Sequence, residues 1–567
     1  SGYFTVGYMD YAAPIDADIV KRWIPRHRLK KKDPAAAVSE PVEPIVYYVD
    51  RGAPEPIRGA LLEGARWWNQ AFEAIGYRNA YRVELMPEGV DPMDVRYNVI
   101  QWVHRSTRGW SYGSSVIDPR TGEIIKGHVT LGSLRVRQDY LIATGLLAPY
   151  EEGKPVSPQM REMALARLRQ LSAHEVGHTL GLAHNFAASI NKNASVMDYP
   201  HPYIALGEGD AIDLSNSYAT EMGEWDNVTI AYGYQDFASG TDEAAELQKI
   251  LNNATARGLL YITDRDARPT GGASPDGHLW DNGLDPTEEL KRLSKVRTKA
   301  LERFSENVLR PGQPLASMGE ILVPVYLLHR YQTEGVAKSV GGVAYSYAVR
   351  PTDGSQLAVT APVSADRQTA ALQTLLTTVQ PEFLRIPDSL LAKIPPHPPG
   401  FGRTQESFRS STGLTFDPLA AATSSADHTI ALLLHPERAA RLVLQAASNS
   451  ALPGLEDVIR QLRAVTIESR PRDGMEGEIQ RAVNGVVLYR LMVLAHSPDS
   501  TEQVKAIAWN QLKEVKDFLS TSTGGGKSWQ VHREWMSSRI NRFQEDPKEI
   551  SLPAPRPLPP GQPIGCG

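Results

Sequence analysis

The stretch HEVGHTLGLAHN, residues 174–185, holds three histidines and a glutamate at spacings that could do metal chemistry. His174 and His178 are four apart. On a helix that spacing puts both imidazoles on one face, one turn apart, where they can share a zinc ion. Glu175 follows the first histidine, so its carboxylate can reach a water beside the ion without binding the ion itself. Gly181 can take a positive φ and end the helix sharply. The chain can then turn back and present His184 as a third ligand. Three protein ligands leave a position open for water, which marks a catalytic rather than a structural site. A His pair at helical spacing is common and is by itself weak. Five fixed positions, His174, Glu175, His178, Gly181 and His184, make a far more specific pattern.

These residues need a helix, and the sequence supplies one from Ser157 to about Leu180. Ser157 is a suitable N-cap, Pro158 suits the first helical position, and Met160, Ala164, Leu168 and Leu171 mark a buried stripe. Upstream, Pro44–Val49 is an apolar run that reads as a buried strand. A helix is expected from about Glu55 to Ile75, stopped by Gly76. Arg96–Val103 reads as a strand, and Val116–Lys126 as two strands joined by a Pro/Gly turn. Gly127–Gly132 is expected to continue as an edge strand. Strand, helix, then several strands indicate a mixed α/β sheet. Residues 240–290 read as loops. Helical periodicity dominates about 287–335 and 427–545, and the tail is proline-rich.

A second short motif, Ala194-Ser-Val-Met-Asp-Tyr199, comes soon after the third histidine. With HExxHxxGxxH it resembles the metzincin zinc proteases, whose histidine motif is followed by a Met-turn. The resemblance implies an α+β catalytic domain, a mixed twisted sheet with a long active-site helix, followed here by a mostly helical region. It makes His174, His178 and His184 the zinc ligands and Glu175 the catalytic base. Met197 becomes an apolar floor under the metal. Tyr199, at M-x-Y spacing, is a candidate to support the oxyanion. The order of VGYMDY, RLKKKDP, SEPVEPIVYYVD, FEAIGYRNA, SVMDY and WDNVTIAYGY is similar to that in a group of large bacterial zinc-dependent metalloproteases. That likeness implies an extracytoplasmic setting and a chain that begins inside its parent. Asn185 separates the sequence from branches with Glu, Asp or Pro at that place.

The implied chemistry is peptide-bond hydrolysis. The substrate is expected to lie extended along Gly127, His128, Val129, Thr130 and Leu131, pairing as an added strand. His128 reads as a surface residue rather than a fourth ligand. Asp276, Asp281 and Asp285 are candidate oxygen ligands for Ca2+, although they match no EF-hand loop. Trp225-Asp226 reads as packing.

The domain limits expected are a lead-in at 1–43, a catalytic domain at 44–240, a loop-rich connection at 241–286, a helical region at 287–550 and a tail at 551–567. With 567 residues, 41% of them hydrophobic, and a net charge of −5, the chain is no general nucleic-acid binder, and no apolar run is long enough to span a membrane. The single cysteine, Cys566, excludes a disulfide framework. The basic run Arg28–Lys32 reads as a solvated linker. Two other functions remain open: a zinc hydrolase of a non-peptide amide, which needs a closed pocket, and a binding or scaffold protein with a vestigial site. The intact Glu175 argues against the latter.

Overall fold

A computed structural model describes residues 1–105, 111–350, 360–402, 404, 406–548, 550 and 552–559. Cys566 and the end of the expected tail lie outside the described residues.

Two short strands, β1 (Val6–Met9) and β2 (Val20–Trp23), pair antiparallel near the start. The basic run that follows is not a free linker. Lys30 pairs with Asp236 at 2.7 Å, and the buried Lys31 ammonium donates to the carbonyls of Ala36 and Ala37.

The main sheet then forms from β3 (Ile45–Val49), β4 (Tyr81–Leu85), β5 (Asn98–Val103), β6 (Tyr112–Ile117) and β7 (Ile124–Gly132). Its order is β4-β3-β5-β7-β6. All neighbours run parallel except β6, which pairs antiparallel with β7. The expected helix from Glu55 is two helices, α1 (Ile57–Arg66) and α2 (Trp68–Ala74), broken at Trp67. β4 was not legible as a strand, although Tyr81 and Val83 alternate with exposed Arg82 and Glu84.

The segment Gly127–Gly132 is the end of β7, and β7 is not an edge. Residues 128–132 pair with Val99–Val103 on one side, and residues 124–130 pair with Tyr112–Ile117 on the other. Both rows of backbone groups are used, so no substrate strand can add there. Among the described residues the sheet ends on this side with β6, one strand further out. Apolar alternation does not distinguish the two positions, because Val129 and Leu131 would be buried in either.

After β7, α3 (Leu134–Leu147) leads to α4 (Gln159–Thr179), the long helix expected from Ser157. α3 escaped the apolar-stripe reading because it buries an ion pair, Arg135 to Asp139 at 2.8 Å. α4 lies against the sheet and against α1. A Cβ on Gly64 of α1 would stand 2.0 Å from the Arg169 carbonyl oxygen, so the two helices meet backbone to backbone. Every residue of α4 from Gln170 to Thr179 is buried. One core joins sheet and helices through Tyr47, Trp68, Phe72, Ile100, Leu168 and Val176.

After α5 (Glu224–Tyr234), the stretch expected as loops contains α6 (Glu243–Ala256) and α7 (Asp264–Ala267). Helix α8 (Pro286–Arg303) opens the helical region, capped by Asp285. That region has a large apolar core of its own, including Leu372, Leu442, Leu488 and Leu512. A separate cluster, with Ile142, Met160, Leu293 and Val325, locks α3 and α4 to α8. No helix among the described residues is long and apolar enough to cross a membrane.

Candidate metal centre

Helix α4 delivers His174, Glu175 and His178, and ends at Leu180. Gly181 then takes φ +100, and a Cβ there would stand 2.0 Å from the Pro25 carbonyl oxygen. Both the backbone angle and the lack of space require glycine. Leu182 N–H donates back to Gly177 O at 3.0 Å, and the chain reverses to present His184. One ligand atom from each of His174, His178 and His184 lies within 4.8 Å of the other two.

The outer nitrogen of each imidazole is tied down. His174 Nδ1 donates to Val196 O at 2.6 Å and His178 Nδ1 to Leu182 O at 2.8 Å. His184 Nδ1 donates to the Asp264 carboxylate at 2.8 Å. With Nδ1 protonated and fixed, Nε2 is left as the lone-pair donor, the arrangement seen around protein-bound zinc. Burial keeps the three rings neutral: it pushes His178 down to about 3, holds His174 well below the ordinary range and lowers His184. Neutral imidazole is the form that ligates a metal. The donor set therefore fits a zinc ion. Glu175, one residue after the first ligand, is completely buried.

The floor is built by residues 194–199. Met197 is buried, and a Cβ on Gly177 would stand 2.2 Å from its Sδ, so the methionine fills the space beneath the helix. Asp226 shapes this turn. Its carboxylate accepts from Ser195 Oγ at 2.6 Å, Val196 N at 2.9 Å and Gly223 N at 2.8 Å. Asp226 therefore does more than pack. The ring of Tyr199 sits 5.3 Å from that of His174, 4.8 Å from His184 and 4.7 Å from Trp280. Its hydroxyl accepts from Arg268 at 3.0 Å, and Arg268 also pairs with Asp264. A chain of contacts thus runs from Tyr199 through Arg268 and Asp264 to His184.

Asn185 joins the third ligand to the later chain. Its backbone N–H donates to Met197 O, its amide donates to Leu260 O at 2.9 Å, and its carbonyl oxygen accepts from Ala187 N and Ile262 N at 3.2 Å. Residues 259–282 wrap the centre, with Phe186 N–H donating to Ile262 O and Trp280 N–H to Tyr199 O. Asp264 and Arg268 were missed by sequence reasoning, since nothing local marks them; their role comes only from the fold. The lead-in also reaches the site. Phe4 N–H donates to Gly181 O, Ala183 N–H donates to Gly2 O, and the Phe4 ring lies 5.6 Å from that of His178.

Other expected residues are placed apart. His128 is half-buried on β7 and contacts Gln101 at 3.2 Å. Asp285 caps α8, Asp276 faces Arg367 at 3.5 Å, and Asp281 is buried, its carboxyl pushed up to about 7 by burial. These three aspartates do not come together as a ligand group; among the described residues the histidines form the only cluster of three or more that could hold a metal. β6 lies directly across the active helix, where a Cβ on Gly113 would stand 2.1 Å from the Glu175 carbonyl oxygen.

A three-histidine centre with an adjacent buried glutamate, set on the long helix of a mixed sheet above a methionine turn, defines a metzincin-type zinc metalloprotein. A family model described as Met-zincin matches residues 156–474, more than half of the chain, and the chain belongs to that family. The match begins just before α4 and runs through most of the helical region. Comparison with curated proteins and with solved structures finds no match in either.

Proposed function

We propose that the protein is a zinc-dependent endopeptidase. The observation that carries this is the convergence of three buried imidazoles beside a buried glutamate, near the strand that ends the sheet among the described residues. His174, His178 and His184 would hold the ion, which would supply Lewis-acid polarisation and make a nearby water more acidic. The peptide would lie extended along β6 and pair with its unused backbone groups. Glu175 takes a proton from the attacking water and passes it to the leaving amine. Tyr199, whose hydroxyl accepts from Arg268, would donate toward the developing oxyanion. An exposed edge strand suits an extended polymer better than the closed pocket a small amide would need. An extracytoplasmic setting rests on the resemblance drawn from the sequence.

The test pairs metal analysis of the purified protein with a peptide-library digest by wild type and Glu175→Ala. We expect one zinc per chain in both and cleavage by wild type alone. Wild type without stoichiometric zinc, or equal digestion by the two proteins, overturns the proposal.

A further inference from the structure

A second site lies away from the histidines and shares no residue with them. It is a cavity of about 570 Å3. It opens beyond the carboxyl ends of three parallel strands, where Pro54 follows β3, His104 follows β5 and Ser133 follows β7. Crevices at this end of a parallel sheet are where ligands bind in open α/β folds. The volume falls within the roughly 300–1,000 Å3 of small-molecule sites.

The lining is divided by chemistry. Trp102, Val136, Leu141, Val308 and Ile321 form an apolar wall. Arg137 and Arg310 bring positive charge, and among the described residues no aspartate or glutamate lines the cavity. Acids near these residues in sequence are paired elsewhere: Asp139 with Arg135, Glu55 with Arg58, Glu151 with Lys154 and Glu306 with Lys393. Arg137 has no acidic partner among the described residues. Arg310 lies over the ring of Tyr150 at 5.4 Å, and the Tyr150 hydroxyl is 3.4 Å from that of Tyr140. Two guanidinium groups and two phenols thus face one apolar chamber. An arginine pair without an acid favours an anion, and a carboxylate is the geometry that a guanidinium fork matches.

We propose that this cavity binds a small amphipathic carboxylate, with its apolar body against Trp102 and Ile321 and its carboxylate between Arg137 and Arg310. The proposal is independent of peptidase activity. That chemistry has two sources, a free acyl chain and the carboxyl end of a peptide with apolar side chains.

Calorimetric titration of the full chain with decanoate, with N-acetyl-leucyl-leucine and with the amide of that dipeptide tests it. Each is run on native and on metal-stripped protein, because a carboxylate can also ligate zinc. We expect one-site binding of decanoate or of the dipeptide acid that survives metal removal. Whichever binds identifies the source, and the amide should bind neither form. Arg137→Glu and Arg310→Glu should each weaken binding by about tenfold or more. Arg137 is exposed, so its variant keeps the test valid if Arg310→Glu melts early. The proposal is overturned if neither acid binds, if binding disappears with the metal, if decyltrimethylammonium binds as well as decanoate, or if Arg137→Glu binds like wild type.

Discussion

His184 and Asp264 stand eighty residues apart in the chain, and the imidazole Nδ1 of one donates to the carboxylate of the other at 2.8 Å. The same carboxylate pairs with Arg268, which in turn donates to Tyr199. Residues that orient a metal-binding imidazole commonly contribute 10–100-fold in affinity, a rough scale set by other zinc sites. Asp264→Ala should therefore weaken zinc binding by about one to two orders of magnitude while the fold persists, since Asp264 is part-exposed on a short helix. Competition against a chelator of known affinity reads this directly. Unchanged affinity would remove Asp264 from the metal's support.

Glu175 separates metal binding from turnover. Glu175→Gln keeps the shape of the buried side chain but cannot accept the proton. Zinc content should stay at one per chain, while kcat/KM falls by roughly 10²–10⁴-fold, the usual worth of a general base. A variant that cleaves like wild type would place the base elsewhere.

Gly177 gives a sign opposite to intuition. In an exposed helix Gly→Ala gains up to about 1 kcal/mol. Here the new methyl would stand 2.2 Å from Met197 Sδ and 2.7 Å from the ring of Trp68. Gly177→Ala should cost about 1–3 kcal/mol in urea unfolding. A stabilised variant would show that the methionine does not fill that space.

Asn185 holds the turn after the third ligand to residues 260 and 262 through two side-chain hydrogen bonds, and a third, from Ala187 N, fixes the turn itself. Asn185→Ala leaves buried partners unsatisfied and should destabilise by about 2–4 kcal/mol. The loss should appear with accelerated hydrogen exchange at Ile262. Exchange at wild-type rates there would show that the side chain is no staple.

Asp226 sets a pH dependence. Despite three donors, complete burial pushes its carboxyl up to about 6. An aspartate in the unfolded chain loses its proton near ~3.9. Between those values the folded protein keeps a proton that the unfolded chain has released. Stability from this group therefore falls as pH rises from about 4 to 6 and is flat above, a change of at most about 3 kcal/mol. Asp226→Asn cannot ionise and should lack that slope. Urea unfolding of both proteins across the window checks it; a pH-independent difference between them would contradict the assignment.

The ligands, the adjacent glutamate, the helix that carries them and the glycine that ends it could be read from the sequence because they lie within one local segment. HExxHxxGxxH is fixed by helical periodicity and one positive φ. The strand edge could not be read. Val129 and Leu131 alternate as a half-buried strand would, and only the pairing of β6 outside β7 shows which strand is free. α3 and the segment 243–267 were also hidden, α3 by a buried ion pair and α6 by its largely polar, exposed surface. Asp226, Asp264 and Arg268 act through contacts with distant parts of the chain, and no spacing rule reaches that far.

The wrapping of the centre by residues 259–282 also orders events in time. On a ribosome, at ~5–20 residues per second, the eighty residues between His184 and Asp264 take ~4–16 s to make. Through that interval the three imidazoles exist without the carboxylate that aims the last of them, and without the cover of Trp280. Such a nascent chain would hold metal loosely, so the metal centre would mature only after the polypeptide has passed well beyond it.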